Sequence, residues 1–463
     1  DKGARAPQRA KMARAPPRLV RLALLAAACA YCILSSRLPR TWQGPALPLG
    51  QRSPCSELLG LSAGLVATVG SEGLRLPVSR DIPAAPPWLD PEWAAFLLNL
   101  SDEVVVEAEA NELRSLLRQE RWIEVAPQSL LDFAAALDGI EAQILPPPRE
   151  PPPSERVRAF GMKEQKAKQV TSCIQAVRSW FDGDEVKRVI DIGSGRGALT
   201  REFGSRLGRP CLGLELDPKK VAVAQRWADK VGESDIHFSV CNVRGASDLS
   251  GQLQAGDLLI GLHPCGSLGE DIIAAVATVA PTMDVSLLMV SCCLHGRPWA
   301  PVQEERAPHS RLGRQLGLTL SREALKKTNL WGPGAKEWML EKVRTRLALR
   351  WLLDARGVEE PCTSVSPSMR GIRRCDSQKG FRGGLAARAL EIRELPPPGA
   401  GELDEAEAFA AAAAPAYRRL ELLTTLVGDV IELVVNLDRA CALEEAGLET
   451  TLGRLFPRSL SPR

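Results

Sequence analysis

Apolar positions along the chain follow three successive patterns. At about residues 57–145 they recur at i, i+3 and i+4. PEWAAFLLNL, EAEANELRSLLRQERWIEV and SLLDFAAALDGIEAQIL each lay one greasy stripe along a helix. The stripe ends at PPPREPPP, Pro146 to Pro153, which no helix survives, and a linker and domain boundary are expected at 146–154. From Lys187, short continuous apolar runs alternate with helix-length stretches. KRVIDIG, PCLGLELD, IHFSVCNV, GDLLIGLHPCG and DVSLLMVSCC read as buried strands, with ALTREFGSRL, DPKKVAVAQRWADKVG and SLGEDIIAAVATVA as helices between them. This alternation predicts an α/β fold: a doubly wound, mostly parallel sheet covered on both faces, behind a helical N-terminal region. Ligands of such sheets lie beyond the carboxyl ends of the strands.

After residue 300 the order breaks. AKEWMLEKVRTRLALRWLLDAR is an amphipathic helix with a basic face, and MRGIRRCDSQKGFRGG a basic, glycine-rich loop. PPPGAGELDEAEAFAAAAAPAYRRL reads as low-complexity linker passing into helix, and LELLTTLVGDVIELVVNLDRACALEEAG as a long apolar helix. Residues 155–300 are thus the expected core, and 301–463 an insertion with the domain's C-terminal part.

Ahead of the helices, Leu22 to Leu34 (LALLAAACAYCIL) is an apolar run preceded by Arg14, Arg18 and Arg21, with Met12 as a plausible start. Its thirteen residues are short for a bilayer-spanning helix, which needs about 20, and suit the apolar part of a signal peptide. The acid-free, Arg-, Ser- and Pro-bearing SSRLPRTWQGPALPLGQRS that follows is transit-like. Residues 1–56 are expected to be a two-part leader to a plastid-type organelle, or else a signal anchor touching a membrane through 22–34.

Charge supports that division. The chain of 463 residues has a net charge of +3, but ten of its 59 Lys and Arg lie between Lys2 and Ser56, where there is no Asp or Glu. The rest carries 49 basic and 55 acidic residues, so overall charge does not predict non-specific nucleic-acid binding. Apolar content of 45% supports a packed core, and twelve scattered cysteines do not resemble a disulfide scaffold.

The candidate chemistry begins at DIGSGRGALT. Gly193, Gly195 and Gly197 make a G-x-G-x-G turn between strand and helix, where backbone N–H groups can approach a ligand. A dinucleotide fingerprint places its third glycine one position later, where this chain has Ala198. Asp191 would sit badly beside a pyrophosphate and well beside the ammonium of S-adenosylmethionine. Glu215, ending the second strand, is placed to take both ribose hydroxyls, and Asn242, ending the third, an adenine edge.

The ends of strands four and five carry LHPCGSLGEDI and SCCLHGRPW. His263, Cys265, Gly266, Cys292, Cys293 and His295 are expected on the substrate side of the same crevice, with His263 as candidate base or substrate contact. The Cys and His spacings do not match a zinc module, and no metal is expected. The cysteines also read as buried strand-end thiols. His237 and His309 read as structural.

VIDIGSGRGALTREF, LGLELDPKKVAVAQRWA, DLLIGLHPCGSLGEDII and LLMVSCCLHG together resemble a branch of the class I S-adenosylmethionine-dependent methyltransferases. That branch has H-x-C-G after strand four and Cys-Cys after strand five. It includes the tRNA acceptor-stem 2′-O-methyltransferase, methyltransferase-like protein twenty-five and the glutathione-S-transferase C-terminal-domain-containing protein. FGMKEQKAKQV, Phe160 to Val170, resembles the segment these proteins place before the first strand. The resemblance implies a Rossmann-like fold, S-adenosylmethionine as cofactor on Asp191, Gly193, Gly195, Gly197 and Glu215, and an RNA acceptor, tRNA or rRNA. In the basic loop itself, Arg370, Arg373, Arg374, Lys379 and Arg382 are the candidate contacts to RNA, and the segment also reads as a solvated loop. The chain departs from the pattern in lacking a zinc module before the fold. It also stops where relatives continue into a final apolar strand, so its sheet is expected to lack an edge partner. The rivals are a non-catalytic binding protein on the same fold and an NAD-dependent oxidoreductase.

Overall fold

The computed structural model describes residues 29–36, 54–69, 89–146, 162–181, 185–232, 235–243, 248–249, 251–291, 293–294, 305–328, 337–358, 372, 379–457 and 460. The five expected strands are present: β2 (Arg188–Ile192), β3 (Cys211–Glu215), β4 (Ile236–Val240), β5 (Asp257–Leu262) and β6 (Val285–Val290). Each pairs in parallel with its neighbours in the order β4-β3-β2-β5-β6. The connecting helices are α8 (Ala198–Leu207), α9 (Pro218–Val231) and α10 (Ser267–Val279), preceded by α7 (Glu164–Trp180). Side chains alternate across the sheet, as strand geometry requires. In β6, Leu287 and Met289 join one hydrophobic cluster and Leu288 and Val290 the other. Burying each such Leu or Val contributes about 1.5–3 kcal/mol.

Two further strands complete the sheet. β9 (Glu449–Pro457) forms the edge, and β1 (Cys29–Ser36) lies between β6 and β9, antiparallel to both. The edge expected to lack a partner is therefore closed by residues from the far end of the chain. The apolar run expected as a signal-type segment is, over Cys29–Ser36, an extended strand paired on both sides. The rest of that run, 22–28, lies outside the described residues. A short apolar run satisfies its backbone equally well in a helix or in a central strand, and only the partners decide.

Six helices form the N-terminal region: α1 (Pro54–Val69), α2 (Pro91–Leu98), α3 (Asp102–Asn111), α4 (Leu113–Leu117), α5 (Glu120–Ile123) and α6 (Gln128–Glu141). They share one hydrophobic cluster with the sheet and with the last, longest helix. Leu145 bonds Leu452 (N–H to O, 3.1 Å) and accepts from the Arg454 N–H at 2.8 Å, both on β9. The prolines after residue 145 thus do not separate two cores.

Past β6 come β7 (Glu305–Arg306), α11 (Arg311–Gln315), β8 (Leu320–Ser321), α12 (Arg322–Lys327), α13 (Glu337–Ala355), α14 (Ala386–Glu391) and α15 (Ala400–Glu445). The alanine-rich stretch expected to pass from linker into helix is helical from Ala400, through Pro415. The Gly399 N–H donates to Glu402 at its start, and Ala406, Ala410, Ala413 and Ala414 are buried in a third cluster with α13 and α14. Small side chains let helices approach closely, which composition alone does not reveal. Among the described residues, no helix is long and apolar enough to cross a membrane.

Candidate active site

The candidate site residues lie at the carboxyl ends of β2 to β6. Gly193, Gly195 and Gly197 all adopt left-handed backbone, with φ of +77°, +61° and +74°. Gly197 is the most constrained, because a Cβ there would lie 2.3 Å from the Phe238 ring. The loop is tied to β3 by Gly193 and Ser194 N–H groups donating to the Leu214 carbonyl at 2.8 and 3.0 Å.

Glu215 faces this loop. Its Oε2 accepts the Gly195 N–H at 2.9 Å, and its Oε1 accepts the Asp217 N–H at 3.1 Å and Lys220 Nζ at 3.3 Å. Beside it, Leu216 is 59% exposed and Val240 53% exposed. Val240 is the register partner of Glu215 on β4. Two large aliphatic side chains thus stand open to solvent at adjoining strand ends. Asn242 follows the end of β4 and is exposed.

Asp191 is elsewhere. It is buried, and its Oδ2 accepts the Thr200 hydroxyl of α8 at 2.6 Å. Burial pushes its carboxyl up to about 6, against the opposing pull of Thr200 and Lys166. The contact this carboxylate makes within the chain is with α8, through Thr200.

The loops after β5 and β6 meet. The His263 N–H donates to the Val290 carbonyl at 3.3 Å, and the Gly266 N–H to the Cys293 carbonyl at 3.1 Å. Cys265 is exposed and Cys293 half-buried. Cys292 and His295 lie outside the described residues. His263 is one of three non-glycine residues with positive φ among the described residues, at +67°. Such strain costs on the order of 1–3 kcal/mol and concentrates at functional sites. Its Nε2 lies 3.0 Å from Gln169 Oε1 on α7. Among the described residues no group of three or more His, Cys, Asp or Glu could hold a metal ion.

Behind these loops is a buried ionic cluster that the sequence did not reveal. Glu270, in the first turn of α10, receives Arg439 at 2.7 Å and Arg306 at 2.9 Å, with His309 Nε2 at 2.5 Å. Arg306 also reaches Asp438 at 2.7 Å, and Arg439 the Ser291 hydroxyl at the end of β6 at 3.1 Å. Gly269 leaves room for the guanidinium, since a Cβ there would lie 3.1 Å from Arg439 Nη2 and 3.2 Å from the Pro264 carbonyl. The cluster thus ties the start of α10 to the end of β6, to β7 and to the last helix. His309, read as structural, belongs to it.

Of the residues expected to meet RNA, Arg370, Arg373 and Arg374 lie outside the described residues and Lys379 is exposed. Arg382 is committed within the chain, to Glu407 at 2.7 Å and to Asp404.

Residues 165–296 match a family model described as a methyltransferase domain. No curated protein matches the chain. Among solved structures it is similar to the YcgJ protein from Bacillus subtilis, at 19% identity over 26% of this chain and 49% of that one, TM-score 0.20. It is similar to TrmN from Thermus thermophilus, at 22% identity over 27% and 37%, TM-score 0.20. A third is the plantazolicin methyltransferase BamL in complex with a triazolic desmethylPZN analog and SAH, at 19% identity over 38% and 54%, TM-score 0.19. The chain spans under half the length of YcgJ and TrmN, and TM-scores this low carry no weight. The family-model match runs from α7 to the loop after β6 and covers under a third of the chain.

The cofactor such a domain implies is S-adenosylmethionine, and the crevice fits it. Leu216 and Val240 offer apolar surface for a flat base, Glu215 a carboxylate for hydroxyls, and the glycine loop a side-chain-free approach. Leu216, Val240 and Gln169 were missed because exposure and long-range hydrogen bonds have no one-dimensional signature.

Proposed function

We propose that this chain is an S-adenosylmethionine-dependent methyltransferase whose acceptor is an RNA, tRNA or rRNA. The observation that carries the cofactor reading is the pair of exposed aliphatic residues, Leu216 and Val240, flanking the Glu215 carboxylate opposite a loop of three left-handed glycines. The family-model match over residues 165–296 supports the reaction class. The RNA reading is supported by the resemblance of the H-x-C-G and Cys-Cys segments, together with the basic segment that includes Lys379.

The bound cofactor supplies a methyl group on a sulfonium, which passes to an acceptor by in-line displacement. The chain's own work is alignment and proton handling. The glycine loop and Glu215 fix the nucleoside end, Asn242 borders the base, and the β5 and β6 loops face the acceptor. His263 accepts the proton that an acceptor hydroxyl or amine gives up. Asp191 braces the loop from below through Thr200.

Calorimetric titration of the full chain with S-adenosylhomocysteine, and separately with NAD, tests the reading. Micromolar binding of S-adenosylhomocysteine is expected, weakened about 10- to 100-fold in Glu215→Ala by loss of charge-assisted hydrogen bonds. Binding of NAD instead restores the oxidoreductase. Binding of S-adenosylhomocysteine without methyl transfer to any RNA pool leaves a non-catalytic protein on this fold.

A further inference from the structure

We infer that Gln169 is a positioning residue that fixes the ring of His263 in one tautomer, with the proton on Nε2 and the lone pair on Nδ1. Gln169 is buried on α7, and its side-chain amide bridges two partners. Its Nε2 donates to the Leu460 carbonyl at 2.5 Å, and its Oε1 lies 3.0 Å from His263 Nε2. A main-chain carbonyl only accepts, so the atom facing Leu460 must be the amide nitrogen. The atom facing His263 is then the amide oxygen, which also only accepts, so His263 Nε2 must carry the hydrogen. A neutral imidazole with Nε2 protonated keeps its lone pair on Nδ1.

The ring is held from three further directions. Its backbone is set by the +67° φ and by the N–H bond to Val290, and its face lies 6.2 Å from the Phe456 ring of β9, centroid to centroid. α7, the end of β5 and the edge strand thus meet at one side chain. A neutral amide orients an imidazole without the pull toward imidazolium that a carboxylate partner exerts. The nitrogen that carries the lone pair is therefore Nδ1. This catalytic meaning rests on the proposed role of His263, whereas the tautomer follows from the hydrogen-bond chain alone.

The test is a long-range proton–nitrogen NMR spectrum of the full chain labelled with ¹⁵N-histidine, at a pH where imidazole is neutral. The chain has four histidines, and His263→Gln identifies the signal of interest. The wild type is expected to show a single form with Nε2 protonated. Gln169→Glu keeps an acceptor for the Nε2–H but should draw the ring toward imidazolium, whereas Gln169→Leu should release a mixture of both tautomers. A wild-type His263 protonated on Nδ1 overturns the inference, as does a Gln169→Leu spectrum unchanged from wild type. If the leucine variant does not fold, the wild-type spectrum still decides. The spectrum needs neither cofactor nor acceptor. A wrong tautomer therefore removes the role of Gln169 and leaves the methyltransferase reading standing, while loss of S-adenosylhomocysteine binding does the reverse.

Discussion

Asp191, under the glycine loop, and Glu270, at the start of α10, are both carboxylates taken out of water, one with a hydroxyl beside it and the other with two guanidiniums. Burial alone would raise both. At Asp191 it wins and pushes the carboxyl up to about 6. At Glu270 burial also pulls upward, but Arg306, Arg439 and His309 outweigh it and hold the group well below the usual carboxylate range. The glycine-loop side thus carries an electrostatic cost at neutral pH, and the H-x-C-G side stands beside an ionic cluster whose charges compensate one another. The two loops of one site have different foundations, and acid acts on them with opposite sign.

The largest expected effect comes from breaking the Glu270 side. Arg439→Met leaves Glu270 with less than its compensating charge and removes the tie to Ser291. Removing one partner of a buried ion pair costs about 3–5 kcal/mol, read as a lower urea midpoint at pH 7. The depressed Glu270 and Asp438 carboxyls contribute stability above their unfolded values of 4.5 and 3.8 and lose it as pH falls below them. The variant should therefore show a shallower acid limb than wild type. A cost under about 1 kcal/mol would mean that the cluster is no firmer than a surface ion pair.

Asp191→Asn probes the other side with a smaller effect of opposite direction. The native carboxyl at about 6 holds its proton more tightly than the unfolded one at 3.8. Stability from this group falls as pH rises from about 4 to about 6, and the full cost persists above that. Asparagine keeps an acceptor for Thr200 and carries no charge. The variant should be more stable than wild type at pH 7, by on the order of 2–3 kcal/mol, and nearly equal to it at pH 4. Urea midpoints at the two pH values decide, and a difference independent of pH would show that Asp191 does not titrate as its burial requires.

The same contrast explains what could be read in advance. The five parallel strands, their helices and the glycine turn follow from local periodicity, and so does the position of Glu215 at a strand end. The burial of Asp191 and its bond to Thr200 of α8 do not follow from its place two residues before Gly193. The Glu270 cluster joins α10, β7, the segment before α11 and α15, and no spacing rule links Arg306, Asp438 and Arg439 to it. β1 was not foreseen as a strand for a related reason, since its partners β6 and β9 come from the middle and the end of the chain. The alanines of α15 read as low complexity until α13 and α14 supplied a surface to pack against.

Lys220→Met gives the smallest effect and the sharpest view of the cofactor side. A carboxylate offers roughly four acceptor sites, and Glu215 already spends them on the Gly195 N–H, the Asp217 N–H and Lys220. A ribose offers two hydroxyls, so one existing donor must give way when the cofactor binds. Lys220 is the longest of the three contacts, at 3.3 Å, and its side chain is about half exposed (47%). An exposed ion pair is worth about 0–1 kcal/mol, so removing it should leave stability almost unchanged. Affinity for S-adenosylhomocysteine should rise by no more than about fivefold, because a competitor for Glu215 has gone. A loss of affinity in this variant would mean that Lys220 itself contacts the cofactor, and that Glu215 receives it with all three donors in place.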